Sequence, residues 1–308
     1  MEKIYIIYGA GRQGIGYMNF LVSKNAEDLI YGFCDEEEKE PICGKQVYKY
    51  EQVKKSNIPF LIAISNTQSR QKIIEQFKED GVAFYSMDEL ASQIGMDRVT
   101  FNREYCAFFH ICDMDTYFKA AEEEAALARF WEETSPFAQL FEKLDLSNVI
   151  ELACGRGRHV PKYADRAGNI TLVDILDKNI EFCKERFKIF SNIEYLRNNG
   201  YNLEALPSNE YTSLFCYDAM VHFEMMDIYE YLKDIYRVLK SGGRALIHHS
   251  NFDGDYKASF GSATYGRNFM NKQLFAYLAY RIGFVILEQK VIDWDIKDLD
   301  CITLIEKA

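Results

Sequence analysis

Residues 148–158 read NVIELACGRGR: an apolar run, Asn148 to Ala153, leads straight into Cys154-Gly155-Arg156-Gly157-Arg158. An apolar stretch of strand length, then close-spaced glycines, then a helical pattern is the strand–turn–helix that opens a nucleotide-binding half of a doubly wound sheet. Small residues in the turn let the main chain approach a ligand, and the helix after it presents unpaired N–H groups. Downstream, Ile170-Thr171-Leu172-Val173-Asp174 is a second apolar strand that ends in an acid. The same order occurs at the N-terminus. Lys3-Ile4-Tyr5-Ile6-Ile7-Tyr8 runs into Gly9-Ala10-Gly11-Arg12-Gln13-Gly14, and Tyr31-Gly32-Phe33-Cys34-Asp35 supplies the acid. Gly9, Gly11 and Gly14 fit G-x-G-x-x-G, with Asp35 where a ribose-binding carboxylate stands. Two copies in a chain of 308 residues predict an α/β protein with two doubly wound, Rossmann-like domains.

Composition narrows the function. The chain carries 36 Lys plus Arg against 47 Asp plus Glu, a net charge of −11, which argues against wholesale nucleic-acid binding. Apolar runs such as Phe60 to Ile64 are strand-sized, so no membrane span is expected. The N-terminus lacks a signal-peptide pattern. The cysteines, at 34, 43, 106, 112, 154, 183, 216 and 301, are scattered, form no C-x-x-C pair, and sit mainly in apolar runs. They read as reduced thiols of a cytoplasmic protein.

The pattern predicts a first domain over residues 1–98, a linker over 99–114 and a second domain over 115–308. Within the first, Gly44 to Tyr48, Pro59 to Ser65 and Val82 to Ser86 read as strands and Arg70 to Asp80 as a helix. Thr116 to Phe141 reads as one strongly helical stretch with Asp115 as its N-cap.

ELACGRGR, residues 151–158, resembles motif I of class I S-adenosylmethionine (AdoMet) methyltransferases, with Ala153 in place of the family's first glycine. The order downstream is similar to that family too: the helix Lys178 to Phe187, strands at 193–197 and 211–217, the helix 228–239, Lys240-Ser241-Gly242-Gly243 turning into strand 244–248, and a terminal pair at 284–291 and 301–305 that would form the reversed antiparallel hairpin. The resemblance implies a class I methyltransferase fold over 115–308. It implies that Glu151, Ala153, Gly155, Gly157, Asp174, Ile175, Asn199, Gly200, Tyr201, Tyr217 and Tyr117 hold AdoMet, with Asp174 on the ribose hydroxyls and residues 198–201 at the adenine. DAMVHFE (218–224) with IHHSN (247–251) looks like a subgroup of bacterial methyltransferases of surface-glycan and polysaccharide biosynthesis. That implies O-methylation of a sugar or sugar-linked group.

A hydroxyl is a poor nucleophile at neutral pH, so transfer of a methyl group to it gains from a general base. The histidines are 110, 159, 222, 248 and 249. His222 follows the fourth strand of the second domain and is the expected base, with Asp218 and His249 as further catalytic candidates. Of His248 and His249, neighbours on a strand, one alone can face the cleft. His248, His249, Asp253 and Asp255 have metal-ligand types, but Mg²⁺ prefers carboxylates and water to imidazole. Cys106, His110, Cys112 and Asp113 match no zinc spacing. No metal is expected.

The first domain, through IYIIYGAGRQG (4–14), residues 31–53 and FLIAIS (60–65), resembles the small N-terminal domain of bacterial sugar acyltransferases. That implies a nucleotide or nucleotide-sugar held by Gly9, Gly11, Gly14 and Asp35. The chain departs from that group at Arg12-Gln13, where Gly-His is common, so no role for that histidine carries over. The expected partner is a small-molecule acceptor, a sugar or nucleotide-sugar; a homodimer stays open. The rival readings are N- or O-methylation of a small metabolite or natural product, a non-catalytic AdoMet- or nucleotide-binding regulator, and an NAD-dependent oxidoreductase.

Overall fold

The computed structural model describes residues 4–64, 66–112, 115–257, 260, 261 and 263–308, without the side chains of 67, 110–112, 115, 116 and 264. The candidate metal set around His110 and Asp113 therefore lies largely outside the described residues, as does the capping side chain of Asp115. The chain divides into two compact units: residues 1–112 with 257–267, and residues 113–256 with 268–308.

In the first unit the strands are β1 (Tyr5–Tyr8), β2 (Ile30–Cys34), β3 (Val47–Tyr48), β4 (Phe60–Ile62) and β5 (Phe84–Tyr85). They form a parallel sheet in the order β3-β2-β1-β4-β5, the doubly wound arrangement that the glycine motif requires. β1 is buried along its whole length, as a central strand covered on both faces must be. The residues expected to be an irregular linker instead form the helix Arg98–Cys112. Phe101, Tyr105 and Phe108 recur at helical spacing, and this face packs on the helix Arg12–Ser23. Tyr105 stacks on Tyr17 with ring centroids 4.2 Å apart. The segment 257–267 completes this unit: Phe260 meets Tyr105 and Phe109 edge-on.

The second unit holds β6 (Asn148–Leu152), β7 (Asn169–Asp174), β8 (Ile193–Arg197), β9 (Tyr211–Cys216), β10 (Leu239–Ser250), β11 (Phe284–Trp294) and β12 (Ile296–Lys307). Their order is β11-β12-β10-β9-β6-β7-β8, with β12 antiparallel to both β10 and β11. The reversed terminal hairpin is thus present, longer than expected. The predicted single helix over 116–141 is three: Asp115–Ala121, Glu124–Trp131 and Pro136–Phe141. Pro136 forces the residue before it out of the helical region. Ser135 accordingly sits extended, and its hydroxyl accepts from the Ala138 N–H as an N-cap. Phe137, Leu140 and Phe141 then pack into one apolar cluster with β6, β7 and β12. Among the described residues no helix is long and apolar enough to cross a membrane.

Candidate active site

The turn after β6 bends through three left-handed residues: Ala153 (φ 57°), Gly155 (φ 56°) and Gly157 (φ 73°). A Cβ on Gly157 would lie 2.4 Å from the Phe187 ring, and one on Gly155 would lie 3.0 Å from Phe118. The turn needs both glycines. Ala153 adopts the conformation that its glycine counterpart in the resembled motif would take without strain, at a cost of roughly 1–2 kcal/mol.

Asp174, at the end of β7, closes the turn from the side. Its Oδ2 accepts from the Gly155 N–H at 2.9 Å, and its Oδ1 accepts from the Leu176 N–H at 2.9 Å and from Asn179 Nδ2 at 3.1 Å. Burial pushes its carboxyl up to about 6 despite these donors. Glu151, on β6, is buried. It is 2% exposed and bonded at 2.7 Å to the Tyr163 hydroxyl, and burial lifts it to about 8.

The adenine-side expectations occupy a loop that organises itself. Asn199 Oδ1 accepts from the N–H groups of Tyr201 and Asn202 at 3.1 and 3.0 Å, and Gly200 is left-handed. Ile175 is half-buried beside Asp174. Tyr217 is buried and stacks on His248 with centroids 4.5 Å apart, inside an aromatic cluster with Phe130 and Phe137. It belongs to the core behind the site.

The carboxyl end of β9 is the most charged point. Asp218 is left-handed (φ 56°). Its Oδ2 accepts from Arg158 Nη2 at 2.8 Å and from the Tyr117 hydroxyl at 2.9 Å. Burial pushes its carboxyl up, but the Arg158 guanidinium, by its charge and its hydrogen bond, outweighs this and holds it at about 2. Burial and the Asp218 charge together lift the Tyr117 phenol to about 12. His222, in the short 3-10 turn Met220–His222, is half-buried near Asp218.

His249 does not fit the catalytic expectation. It is 0% exposed and lies flat on Phe275 at 4.0 Å. Its Nδ1 is 2.8 Å from the Ser250 carbonyl and its Nε2 2.8 Å from Thr303 Oγ1, and burial depresses it to about 3. Strand alternation points it into the core, on the side away from Tyr217. Residue reasoning also missed Arg158, quoted within the glycine motif but given no role; its positive charge directly after the turn was the available signal. It missed Asp300, a charged residue inside the apolar run Leu299 to Ile305, which meets His248. Among the described residues no three His, Cys, Asp or Glu stand together as metal ligands would.

In the first unit, Gly9 is left-handed (φ 107°), and a Cβ on Gly14 would lie 1.9 Å from the Gly9 carbonyl oxygen; Gly11 has nothing within 4 Å. Asp35 Oδ2 accepts from the Ala10 N–H at 2.8 Å and from Lys39 Nζ at 2.9 Å. Burial raises its carboxyl, but the Glu37 N–H, Lys39 and the Ala10 N–H bring it below the usual carboxylate range.

Residues 149–243 match the family model of a methyltransferase domain. The match holds the glycine turn, Asp174, the 198–201 loop, Asp218 and His222. The ubiquinone/menaquinone biosynthesis C-methyltransferase UbiE of Citrobacter koseri is 31% identical over 109 residues, 32% of this chain and 41% of that protein. The protein of the same name from Klebsiella pneumoniae strain 342 matches at 31% over 109 residues, with the same shares of 32% and 41%. The chain thus spans about two fifths of the length of these curated relatives. Among solved structures, a SAM-dependent methyltransferase from Aquifex aeolicus aligns at 12% identity and a TM-score of 0.48, over 63% of this chain and 98% of that one.

Proposed function

We propose that the second unit transfers a methyl group from AdoMet to a small polar acceptor, and that the acceptor is a hydroxyl of a sugar or sugar-linked group in polysaccharide biosynthesis. One observation carries the donor half: a left-handed glycine turn at the carboxyl end of the central strand β6, with a buried carboxylate beside it on β7. The residues fit the donor. The glycines bring bare main chain to the end of β6, and Asp174, lifted by burial, gains from hydroxyl donors such as a ribose diol. When bound, AdoMet supplies an electrophilic sulfonium methyl.

The chain's own residues then have two tasks. The turn, Asp174 and Tyr117 hold the donor, and the ionised Asp218 offers a fixed negative charge at the end of β9. His222 takes the proton of the attacking hydroxyl, and Asp218 stabilises the imidazolium that forms, as a carboxylate beside a basic histidine does. Asp218 itself, held at about 2, is too weak a base for that proton. Positioning of donor and acceptor in line supplies most of the remaining acceleration. The likeness to UbiE proteins keeps a small-metabolite acceptor as the second reading.

For the first unit, the glycine turn and Asp35 support a nucleotide or nucleotide-sugar ligand. Calorimetric titration with AdoMet, S-adenosylhomocysteine, NAD and UDP-sugars tests both parts. AdoMet binding lost in Asp174→Ala and kept in Asp35→Ala is the expected result, with a UDP-sugar showing the converse. Absence of any AdoMet binding overturns the methyltransferase reading. Turnover unaffected in His222→Ala removes His222 as base.

A further inference from the structure

His248 lies at the end of β10 with both ring nitrogens engaged. Its Nδ1 accepts from the backbone N–H of Asp218 at 3.0 Å, and its Nε2 lies 3.1 Å from Asp300 Oδ2 on β12. His248 and Asp300 are both 0% exposed. The imidazole stacks on the ring of Tyr217 at 4.5 Å, and the Trp294 ring lies tilted to it at 5.6 Å. A carboxylate only accepts, so Asp300 fixes the ring proton on Nε2, and the tautomer so fixed leaves Nδ1 free to accept. The group it accepts from belongs to the left-handed residue whose carboxylate gathers Arg158 and Tyr117.

We infer that Asp300 and His248 are positioning residues: Asp300 sets the tautomer of His248, and His248 holds the peptide of Asp218 so that its carboxylate stays between Arg158 and Tyr117. This rests on the methyl-transfer reading for its consequence, since Asp218 is then a wall of the donor site. It assigns a use to a buried histidine that the proton transfer does not need. Asp300 and His248 lie on the adjacent strands β12 and β10, and Asp218 lies just past the end of β9, so the link runs across the sheet rather than along the chain.

The test is on the full chain, labelled with ¹⁵N, in wild type, Asp300→Asn, His248→Asn and His248→Leu. Ring-nitrogen shifts of wild-type His248 should show the proton on Nε2. Asn at 300 can donate as well as accept, so Asp300→Asn should admit the Nδ1–H form. Exchange of the Asp218 amide should then speed up at least tenfold, while the His222 amide, bonded to Ala219, stays unchanged. S-adenosylhomocysteine should bind about tenfold more weakly to Asp300→Asn and His248→Leu. His248→Asn, whose Oδ1 can replace Nδ1 as acceptor, should recover most of that loss. In an Asp218→Gly background, which needs no help to stay left-handed, Asp300→Asn should add nothing.

A wild-type ring proton on Nδ1, an Asp218 amide indifferent to Asp300→Asn, or additive losses in the Asp218→Gly background overturns the inference. Failure of the wild type to bind S-adenosylhomocysteine strikes the methyl-transfer reading instead, and the tautomer and exchange data still decide whether Asp300 and His248 hold Asp218.

Discussion

The two glycine turns are built to one plan and tuned in opposite directions. In each, the acid at the end of the neighbouring strand accepts a backbone N–H from the turn: Asp35 from Ala10, Asp174 from Gly155. In the first unit an ammonium, Lys39, occupies the same carboxylate oxygen, and the acid lies below its usual range. In the second, the other donors are the Leu176 N–H and the Asn179 amide, both neutral, and the acid rises to about 6. The glycines differ as well. Gly14 abuts the main chain of Gly9, whereas Gly155 and Gly157 abut aromatic side chains. Backbone cannot yield and a ring can turn. Both sets of glycines are thus required by the packing of their own units, the first against main chain and the second against rings.

This contrast can be broken at several points. The largest effect is expected at Gly14→Ala, where the added carbon meets a carbonyl oxygen; a loss of about 3 kcal/mol is expected, read by amide exchange in the first unit. Tryptophan fluorescence should stay quiet there, because both tryptophans, Trp131 and Trp294, lie in the second unit. An equally stable Gly14→Ala would show that the first turn is not closed by its own backbone.

The pH dependence should separate the two acids. Asp174 binds its proton more tightly folded than unfolded, so its contribution to stability falls as pH rises from about 4 to about 6. Asp174→Asn should remove that slope, worth up to about 3 kcal/mol. Asp35, shifted downward, contributes stability above its unfolded value that is lost as pH falls, and Asp35→Asn should remove that acid-side loss. Slopes of the same sign at both sites would undo the comparison. Glu151, lifted to about 8, adds a fall of the same sign from about 4.5 to about 8 that Glu151→Gln should abolish while leaving the unfolding midpoint near pH 5 almost unchanged.

The smallest effects are at the open positions. Gly11→Ala, with nothing within 4 Å, should cost less than about 0.5 kcal/mol. Ala153→Gly relieves a left-handed alanine but loosens the unfolded chain. The first term is the larger, leaving a gain of about 0.5–1 kcal/mol.

Both turns were readable because strand, glycines and acid follow one another closely in sequence, and local chemistry dictates them. The same holds for the reversed hairpin, whose two strands are neighbours. Reading failed where distance or competition decided. The helix Arg98–Cys112 reads as a linker in sequence because its apolar face is aromatic rather than aliphatic, and its partner Tyr17 lies far back in the chain. The stretch 116–141 kept a helical period through Ser135-Pro136, where the chain must break. His249 looked available because strand alternation says that one of two neighbouring histidines faces out, without saying which; Phe275 from a later helix settles it. The tie from Asp300 to Asp218 joins three strands that only the sheet order makes adjacent.

The placement of residues 257–267 has a consequence for the order in which the protein is made. These residues are encoded after β10 of the second unit, yet they complete the first, where Phe260 covers Tyr105 and Phe109 and Gly261 approaches Tyr17 so closely that no larger side chain fits. On the ribosome, the N-terminal unit must wait with an aromatic face uncovered until most of its successor has been synthesised. A gene cut after codon 112 yields a fragment with that face bare.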